Sequence, residues 1–419
     1  MRGDSMIDTA ERKERVILVG VAVGSEKETL LSLKELADLA KTAGADVVGT
    51  LVQNREQIHQ ATYIGKGKIE ELDQMLYMLE ADGIICDDEL SPAQLNNLQE
   101  ELGCKVMDRT LIILDIFASR AHTSEGKIQV ELAQLRYRQS RLIGLRKSLS
   151  RQGGGIGTRG PGEKKLETDR RVIGERISVL KKQLEDIKEH REVIRKGRKK
   201  NNVFTAAIVG YTNAGKSTLL NTLTGASVHT EDALFVTLDP TTRILELPHG
   251  GHILLTDTVG FIRKLPHHLI EAFKSTLEEA VYADIIIHVV DSSNPHMEQY
   301  METVYETLDM LGASGKDVIT FFNKIDKRSD EVRLRDERAK EVLNIAAKFS
   351  QGNKEIIELL EKIYLGGKLY IERIYPYDQA GKISLIRQNG ILISEEYVPE
   401  GVSVKAYVPM DIYGDIEIK

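Results

Sequence analysis

The chain is 419 residues long and 41% apolar, with 57 Lys+Arg against 64 Asp+Glu, a formal charge of −7 and two cysteines. That length carries roughly two to four domains, and the apolar content supplies a core for each. No apolar run approaches the roughly 18–20 residues of a membrane span. Met1–Arg15 has no signal-peptide core, and Cys86 and Cys104 have neither the number for a disulfide framework nor zinc spacing, so a cytoplasmic protein is expected.

From the N-terminus, Arg15–Val23 and Ala45–Val52 read as strands around a helical pattern at Glu28–Ala43. The alternation continues with Lys66–Glu80 helical, Gly83–Cys86 extended, Ala93–Leu102 helical and Lys105–Met107 extended. This predicts a small βα domain with a parallel sheet over residues 1–110. Gly65-Lys66-Gly67-Lys68 resembles a piece of a phosphate loop but lacks a preceding buried strand, and reads as a helix-start turn.

Residues 111–200 read as a helical arm. Ile128, Leu132, Leu135, Gln139 and Leu142 step by heptad spacing, as do Ile173, Ile177, Leu180, Leu184 and Ile187, which predicts two antiparallel helices with one apolar seam each. Between them, residues 151–162 are too rich in glycine to stay helical and form a basic tip. Residues 120–200 carry 23 Lys+Arg against 10 Asp+Glu, a local charge of +13 in an acidic chain. A polyanionic partner is one reading, and a solvated helix face laced with ion pairs is the other.

Residues 201–365 carry the chemistry. Gly210-Tyr211-Thr212-Asn213-Ala214-Gly215-Lys216-Ser217 fits GxxxxGK[ST] directly after the apolar run Thr205–Val209, with Thr218 continuing into a helix. Glycines there let successive N–H groups face an anion at a helix N-terminus. Lys216 would reach the β- and γ-phosphates and Ser217 would hold Mg²⁺. The run His252–Thr256 ends in Asp257-Thr258-Val259-Gly260, placing a carboxylate by the metal and the Gly260 N–H where a γ-phosphate is sensed. Asp317–Phe322 ends in Asn323-Lys324-Ile325-Asp326, the NKxD pattern. Asp326 can accept from the N1–H and exocyclic amine of guanine, a donor pair adenine lacks, so GTP is the expected substrate and GTP and GDP the expected ligands. The adjacent His267 and His268 cannot both face one ion from a helix and have no third ligand nearby. Residues 366–419 alternate extended runs with a short helical piece, a small α+β tail. The fold expected is therefore α/β, a P-loop GTPase domain preceded by a βα domain with a helical arm and followed by the tail.

With these features placed, the chain resembles the HflX family of translational GTPases over nearly its whole length. The resemblance rests on Leu114-Asp115-Ile116-Phe117-Ala118-Ser119-Arg120-Ala121, on Glu125–Leu135, on the glycine-rich tip and on Lys165-Leu166-Glu167-Thr168-Asp169-Arg170-Arg171. It implies an arm that docks on ribosomal RNA of the large ribosomal subunit, with its tip toward the peptidyl-transferase region, and GTP-linked splitting of stalled or idle ribosomes. An RNA-binding protein of ribosome assembly, with GTP as regulatory ligand, is the alternative. A monomer in solution is expected.

The resemblance also assigns residues. In the first switch, Phe235-Val236-Thr237-Leu238-Asp239, it favours Thr237 as the hydroxyl that meets Mg²⁺, with Thr241 as second choice. Lys216, Thr237 and Gly260 become the residues expected to act on the transferred phosphoryl group. Phe261 follows Gly260 where many GTPases carry a water-orienting glutamine, which implies slow intrinsic turnover stimulated by ribosomes. Asn213 stands where potassium-activated relatives hold a monovalent cation; fixing the loop is its other role. Ala346-Ala347-Lys348 resembles the Ser-Ala-Lys base contact with alanine for serine, and Lys164 stands where threonine is more frequent.

Overall fold

The computed structural model describes residues 12–152, 161–200, 203–225, 234–235, 237–266, 269, 277–328 and 334–417. Contacts divide it into two compact units, one of residues 1–184 with 263–272, the other of residues 185–262 with 273–419. Among the described residues no helix is long and apolar enough to cross a membrane.

The first unit is built on a four-stranded parallel sheet of order β2-β1-β3-β4, from β1 (Arg15–Ala22), β2 (Asp46–Asn54), β3 (Gly83–Cys86) and β4 (Lys105–Asp108). A strand covered on both faces must be apolar at every position, and seven of the eight residues of β1 are buried. The helices begin where the caps put them. Ser25 accepts from Glu28 N at the start of α1 (Glu26–Thr42), and Ser91 and Gln94 form a reciprocal capping box with Pro92 at the start of α3 (Pro92–Leu102). The expected helix α2 runs Lys66–Met78, and Gly65 is its N-cap. Ile17, Val19, Leu72, Ile84 and Leu98 lie in the core that these elements enclose.

α4 (Arg109–Arg120) leads into the arm helices α5 (Ser124–Gln152) and α6 (Pro161–Lys200). The expected seam is present where Leu132, Ile177 and Leu180 pack with Ile128, Leu135, Ile173 and Leu184, and Arg176 forks onto Glu131 beside it. Residues 153–160 of the tip lie outside the described residues. Tyr137 and Arg141 of α5 reach back to Asp108 at the end of β4, at 2.8 and 2.6 Å, fastening the arm's root to the sheet.

At the carboxyl ends of β3 and β4 sits a buried ion network. Arg109, 1% exposed, donates to Glu35 Oε1 at 2.8 Å, to Asp87 Oδ1 at 2.7 Å and to Ser32 O at 2.9 Å. Burial drives the Asp87 carboxyl up, and the Arg109 and Lys264 cations more than offset it, so it stays below its ordinary value.

The second unit holds a six-stranded sheet of order β10-β9-β8-β5-β7-β6. Its strands are β5 (Phe204–Val209), β6 (Thr241–Glu246), β7 (His252–Asp257), β8 (Ile285–Asp291), β9 (Asp317–Asn323) and β10 (Glu341–Asn344). All neighbours are parallel except β6 and β7, which form an antiparallel hairpin. The chain turns from one side of the sheet to the other at β5, so the crevice outside its carboxyl end is where such a sheet takes a ligand. α7 (Lys216–Thr224), α8 (Met297–Met310) and α9 (Asn353–Leu365) cover the sheet. The tail is an antiparallel sheet of order β11-β13-β12, from β11 (Lys368–Tyr375), β12 (Ile391–Val398) and β13 (Gly401–Pro409). α10 (Ala380–Asn389) and α11 (Met410–Tyr413) complete its own core around Val404, Ala406 and Ile386. The expected α+β tail is therefore present.

One polar cluster lies inside this unit. Asp336 accepts from Tyr305 Oη at 2.6 Å and Thr320 Oγ1 at 2.5 Å, and His288 Nδ1 stands 3.9 Å away, beyond hydrogen-bond reach. Burial holds the His288 imidazole below its ordinary value, and Asp336 raises it only in part.

Two outcomes are expected. Arg109→Met strands Asp87 and Glu35 without their shared cation and should cost about 3–5 kcal/mol in urea unfolding of the full chain; a change under 1 kcal/mol would contradict the network's role. For His288 the unfolded chain takes up the proton first. Stability is whole above the unfolded value of about 6.5 and declines as pH falls toward the lower folded value. Melting at pH 7.5, 6.5 and 5.5 should show that decline, and His288→Asn should flatten it.

Candidate functional site

At the carboxyl end of β5 the loop Gly210–Ser217 turns into α7 along a path that needs its glycines. A side chain at Gly210, φ +155°, would strike Val289 O at 2.2 Å, and one at Gly215, φ +97°, would strike Asn323 Nδ2 at 2.3 Å. Asn213 has φ +60°, a left-handed conformation asparagine tolerates better than most residues. Ala214 is buried, and Thr212 Oγ1 accepts from Phe235 N at 3.1 Å, joining the loop to the first switch. The Tyr211 ring stacks on Tyr300 of α8 with centroids 3.9 Å apart. Thr218 is half-buried in the first turn of α7. Lys216 lies 6% exposed, its ammonium donating to Gly210 O at 3.1 Å and Tyr211 O at 3.0 Å. Burial pushes that ammonium down to about 8, with Asp257 pulling the other way.

Three oxygen-bearing side chains converge beside it. Ser217 Oγ donates to Asp257 Oδ2 at 2.6 Å, Thr237 Oγ1 donates to the same oxygen at 3.1 Å, and the two hydroxyls lie 2.8 Å apart. Asp257 is fully buried, burial raises its carboxyl, and its Oδ1 has no hydrogen-bond partner among the described residues. Thr241 instead opens β6, paired with Asp257 through the ladder. Leu238 is buried and Asp239 half-buried, while Val236 lies outside the described residues. Among those residues no group of three His, Cys, Asp or Glu side chains is assembled, so a cation here would rely on one carboxylate and two hydroxyls.

Past Asp257, Thr258 Oγ1 donates to Ile208 O at 2.8 Å and Val259 is buried. Gly260 passes so close that a Cβ would meet Thr212 Cα at 2.8 Å and Lys216 Nζ at 3.0 Å. Phe261, 2% exposed, is tied to the phosphate loop by main chain, with Thr212 N donating to Phe261 O at 2.8 Å and Phe261 N to Gly210 O at 3.1 Å. Its ring offers no hydrogen bond to a water. His267 and His268 lie outside the described residues.

Across the loop, Asn323 is buried and joins two segments: Nδ2 donates to Ala214 O at 2.8 Å, and Oδ1 accepts from Ala347 N at 2.9 Å. Lys324, φ +62°, donates to Asn213 O at 2.8 Å and pairs with Asp291 at 2.8 Å. Asp326 sits exposed on the short turn Ile325–Lys327. Ala346 is buried with its N–H on Gln351 O at 3.1 Å, and Lys348 is exposed on the turn beside it.

Several of these partners carried no signal in sequence. Asp291 is the last residue of an ordinary buried strand, and Tyr300 lies on an ordinary helix. Lys264 follows the Gly260 turn at φ +53° and belongs with the first unit, where its Nζ meets Asp87 Oδ2 at 2.5 Å and Asp88 Oδ1 at 2.7 Å. Arg109 also donates to Arg263 O at 3.4 Å. A pairing across so many residues can be found only in three dimensions.

Residues 31–118 match the family described as GTP-binding GTPase N-terminal, residues 120–198 the GTP-binding GTPase Middle Region, and residues 205–324 the 50S ribosome-binding GTPase. The GTPase HflX of Lacrimispora saccharolytica is 63% identical over 98% of this chain and 97% of its own. Those of Caldanaerobacter subterraneus and Escherichia coli are 48% and 39% identical, over 98% and 97% of this chain and 94% and 96% of theirs. Among solved structures, the SsGBP and GDP complex is 27% identical, covers 84% of this chain and 98% of its own, and has a TM-score of 0.49. Relatives this alike from end to end make the chain a member of the HflX family of GTPases, with GTP as the nucleotide that it binds and hydrolyses.

Proposed function

We propose that the chain is a nucleotide-switched factor that grips the large ribosomal subunit through its basic arm and helps split stalled or idle ribosomes. Working parts near residues 1–110, 111–200, 201–365 and 366–419 divide the task. The reading is supported by the local charge of +13 over residues 120–200, carried on helices that lead directly into the nucleotide domain. Such a surface attracts phosphate-rich RNA, and its grip weakens as salt rises.

The phosphate end rests chiefly on the orphaned Asp257 Oδ1. A buried carboxylate oxygen with no partner is costly, and two hydroxyls turned toward the same carboxyl complete a hard-cation donor set. Ser217, Thr237 and Asp257 would hold Mg²⁺, which supplies charge neutralisation on the β- and γ-phosphate oxygens when bound. Lys216 would exchange its two carbonyl acceptors for phosphate oxygens, and the loop N–H groups would orient the chain of phosphates. Gly260, packed against Lys216 and Thr212, would report the terminal phosphate. Asp326 would select guanine, with Asn323 and Lys324 bracing the loop and Ala346-Ala347-Lys348 closing over the base. Because the N–H groups of Ala346 and Ala347 are already donated, the base oxygen would take the next one, on Lys348. With Phe261 unable to orient water, hydrolysis by the chain alone would be slow and ribosome binding would accelerate it. A potassium ion beside Asn213 would show as faster turnover in KCl than in NaCl; equal rates would leave Asn213 to its loop conformation alone.

Thr237→Ala should lower kcat/KM for GTP about tenfold or more at limiting Mg²⁺, with Thr241→Ala far milder; the reverse order would give the metal contact to Thr241. In sedimentation with purified large subunits, association should be strongest with GTP or a non-hydrolysable analogue, weaker with GDP, and reduced by salt. Lys216→Ala should abolish the nucleotide dependence. Subunit separation that survives this substitution would instead support an RNA-binding assembly factor with GTP as a regulatory ligand.

A further inference from the structure

The last turns of α6 stand apart from the sheet below them. Glu192, Arg195 and Lys196 line one wall of a cavity of about 1070 Å³ whose other walls include Phe204, Tyr282 and Lys316. Val193 and Ile194 in the same turns are 67% and 45% exposed, so apolar packing holds this end of the helix poorly. The Arg195 side chain reaches across the cavity. Arg195 Nη2 reaches Glu279 Oε1 at 2.7 Å, its Nη1 lies 3.7 Å from Glu278 Oε2, and the guanidinium lies over the Tyr282 ring at 3.9 Å. All three partners belong to the helical segment 277–282, which lies between the Gly260 turn and β8 in the chain. The guanidinium, Glu278 and Glu279 side chains are each less than 20% exposed, a setting in which a forked and stacked guanidinium is held far better than a surface ion pair.

We propose that Arg195 is a positioning residue for the nucleotide switch: it locks the end of the arm helix to the segment that follows the γ-phosphate-sensing turn, so that load on the arm and the phosphate state act on each other. This rests on the reading of the arm as the ribosome-gripping element. Lysine cannot replace it, because an ammonium neither forks between two carboxylates nor lies flat on a ring. Arg195 touches no part of the phosphate site, so basal hydrolysis without ribosomes stays near the wild-type rate when the lock is broken. What changes is coupling, which for linked sites is worth about 5–150-fold in affinity.

The test measures binding of the full chain to purified large subunits with GTP and with GDP, alongside hydrolysis with and without subunits. In Arg195→Ala and Arg195→Lys the wild-type preference for GTP over GDP should fall about fivefold or more. Ribosome-stimulated kcat should fall with it, while basal kcat and KM remain. Arg195→Glu combined with Glu279→Arg should restore part of the preference. If melting shows that the Arg195 variants do not fold, Glu279→Gln, which keeps shape and removes one charge, carries the same expectation. Preference and stimulation unchanged in a folded variant would overturn the lock. A wild-type chain with no preference for GTP would instead overturn the ribosome-gripping reading itself.

Discussion

The second unit is organised around a carboxylate that the fold buries and only partly satisfies. Asp257 ends β7 with no exposure, one oxygen taking hydroxyls from Ser217 and Thr237 and the other without a partner among the described residues. Each of its two hydroxyl neighbours comes from a different part of the chain: Ser217 from the turn into α7, Thr237 from the stretch before β6. Burying a carboxylate this way is unfavourable unless a cation completes it. The three side chains bring the loop Gly210–Ser217, the stretch before β6 and the end of β7 onto one point.

A second constraint holds the loop from behind. Asn323 fills the space a side chain at Gly215 would need, and ties Ala214 to Ala347 through its two ends. Lys324 repeats the arrangement one residue on, between Asn213 O and Asp291. The segments Asn323–Lys324 and Gly210–Ser217 are therefore joined in one hydrogen-bonded body. Asp326 is left exposed at its edge, which suits a residue whose partner is a ligand.

The first unit meets the problem of buried charge differently. At the carboxyl ends of β3 and β4, where parallel sheets offer a crevice, Glu35, Asp87 and Asp108 are neutralised internally by Arg109, Lys264 and Arg141. The six ions come from α1, the residue after β3, the end of β4, α4, α5 and the stretch after Gly260, so each is placed by a different part of the chain. Removing Arg109 leaves Glu35 buried without its cation and Asp87 with Lys264 alone, which is why such a network is fragile to substitution even where its net contribution to stability is small.

Much of the molecule was legible in its residues. The apolar runs read as strands at Arg15–Val23, Gly83–Cys86, Thr205–Val209 and Asp317–Phe322 form strands, and heptad steps set the seam around Leu132, Ile177 and Leu180. Gly210–Ser217 and Asn323–Asp326 stood out in sequence because their patterns are local, with a lysine directly after a residue whose backbone or side chain must pass close. Whether Thr237 or Thr241 stands by Ser217 was open in sequence, because both are threonines in one short stretch; the ladder that commits Thr241 to β6 leaves Thr237 beside the carboxylate. The Arg109 network, the Lys264 pairing and the Arg195 fork were beyond reach. A long, flexible cation can meet a carboxylate anywhere in the chain, and only packing of distant elements decides which one it meets.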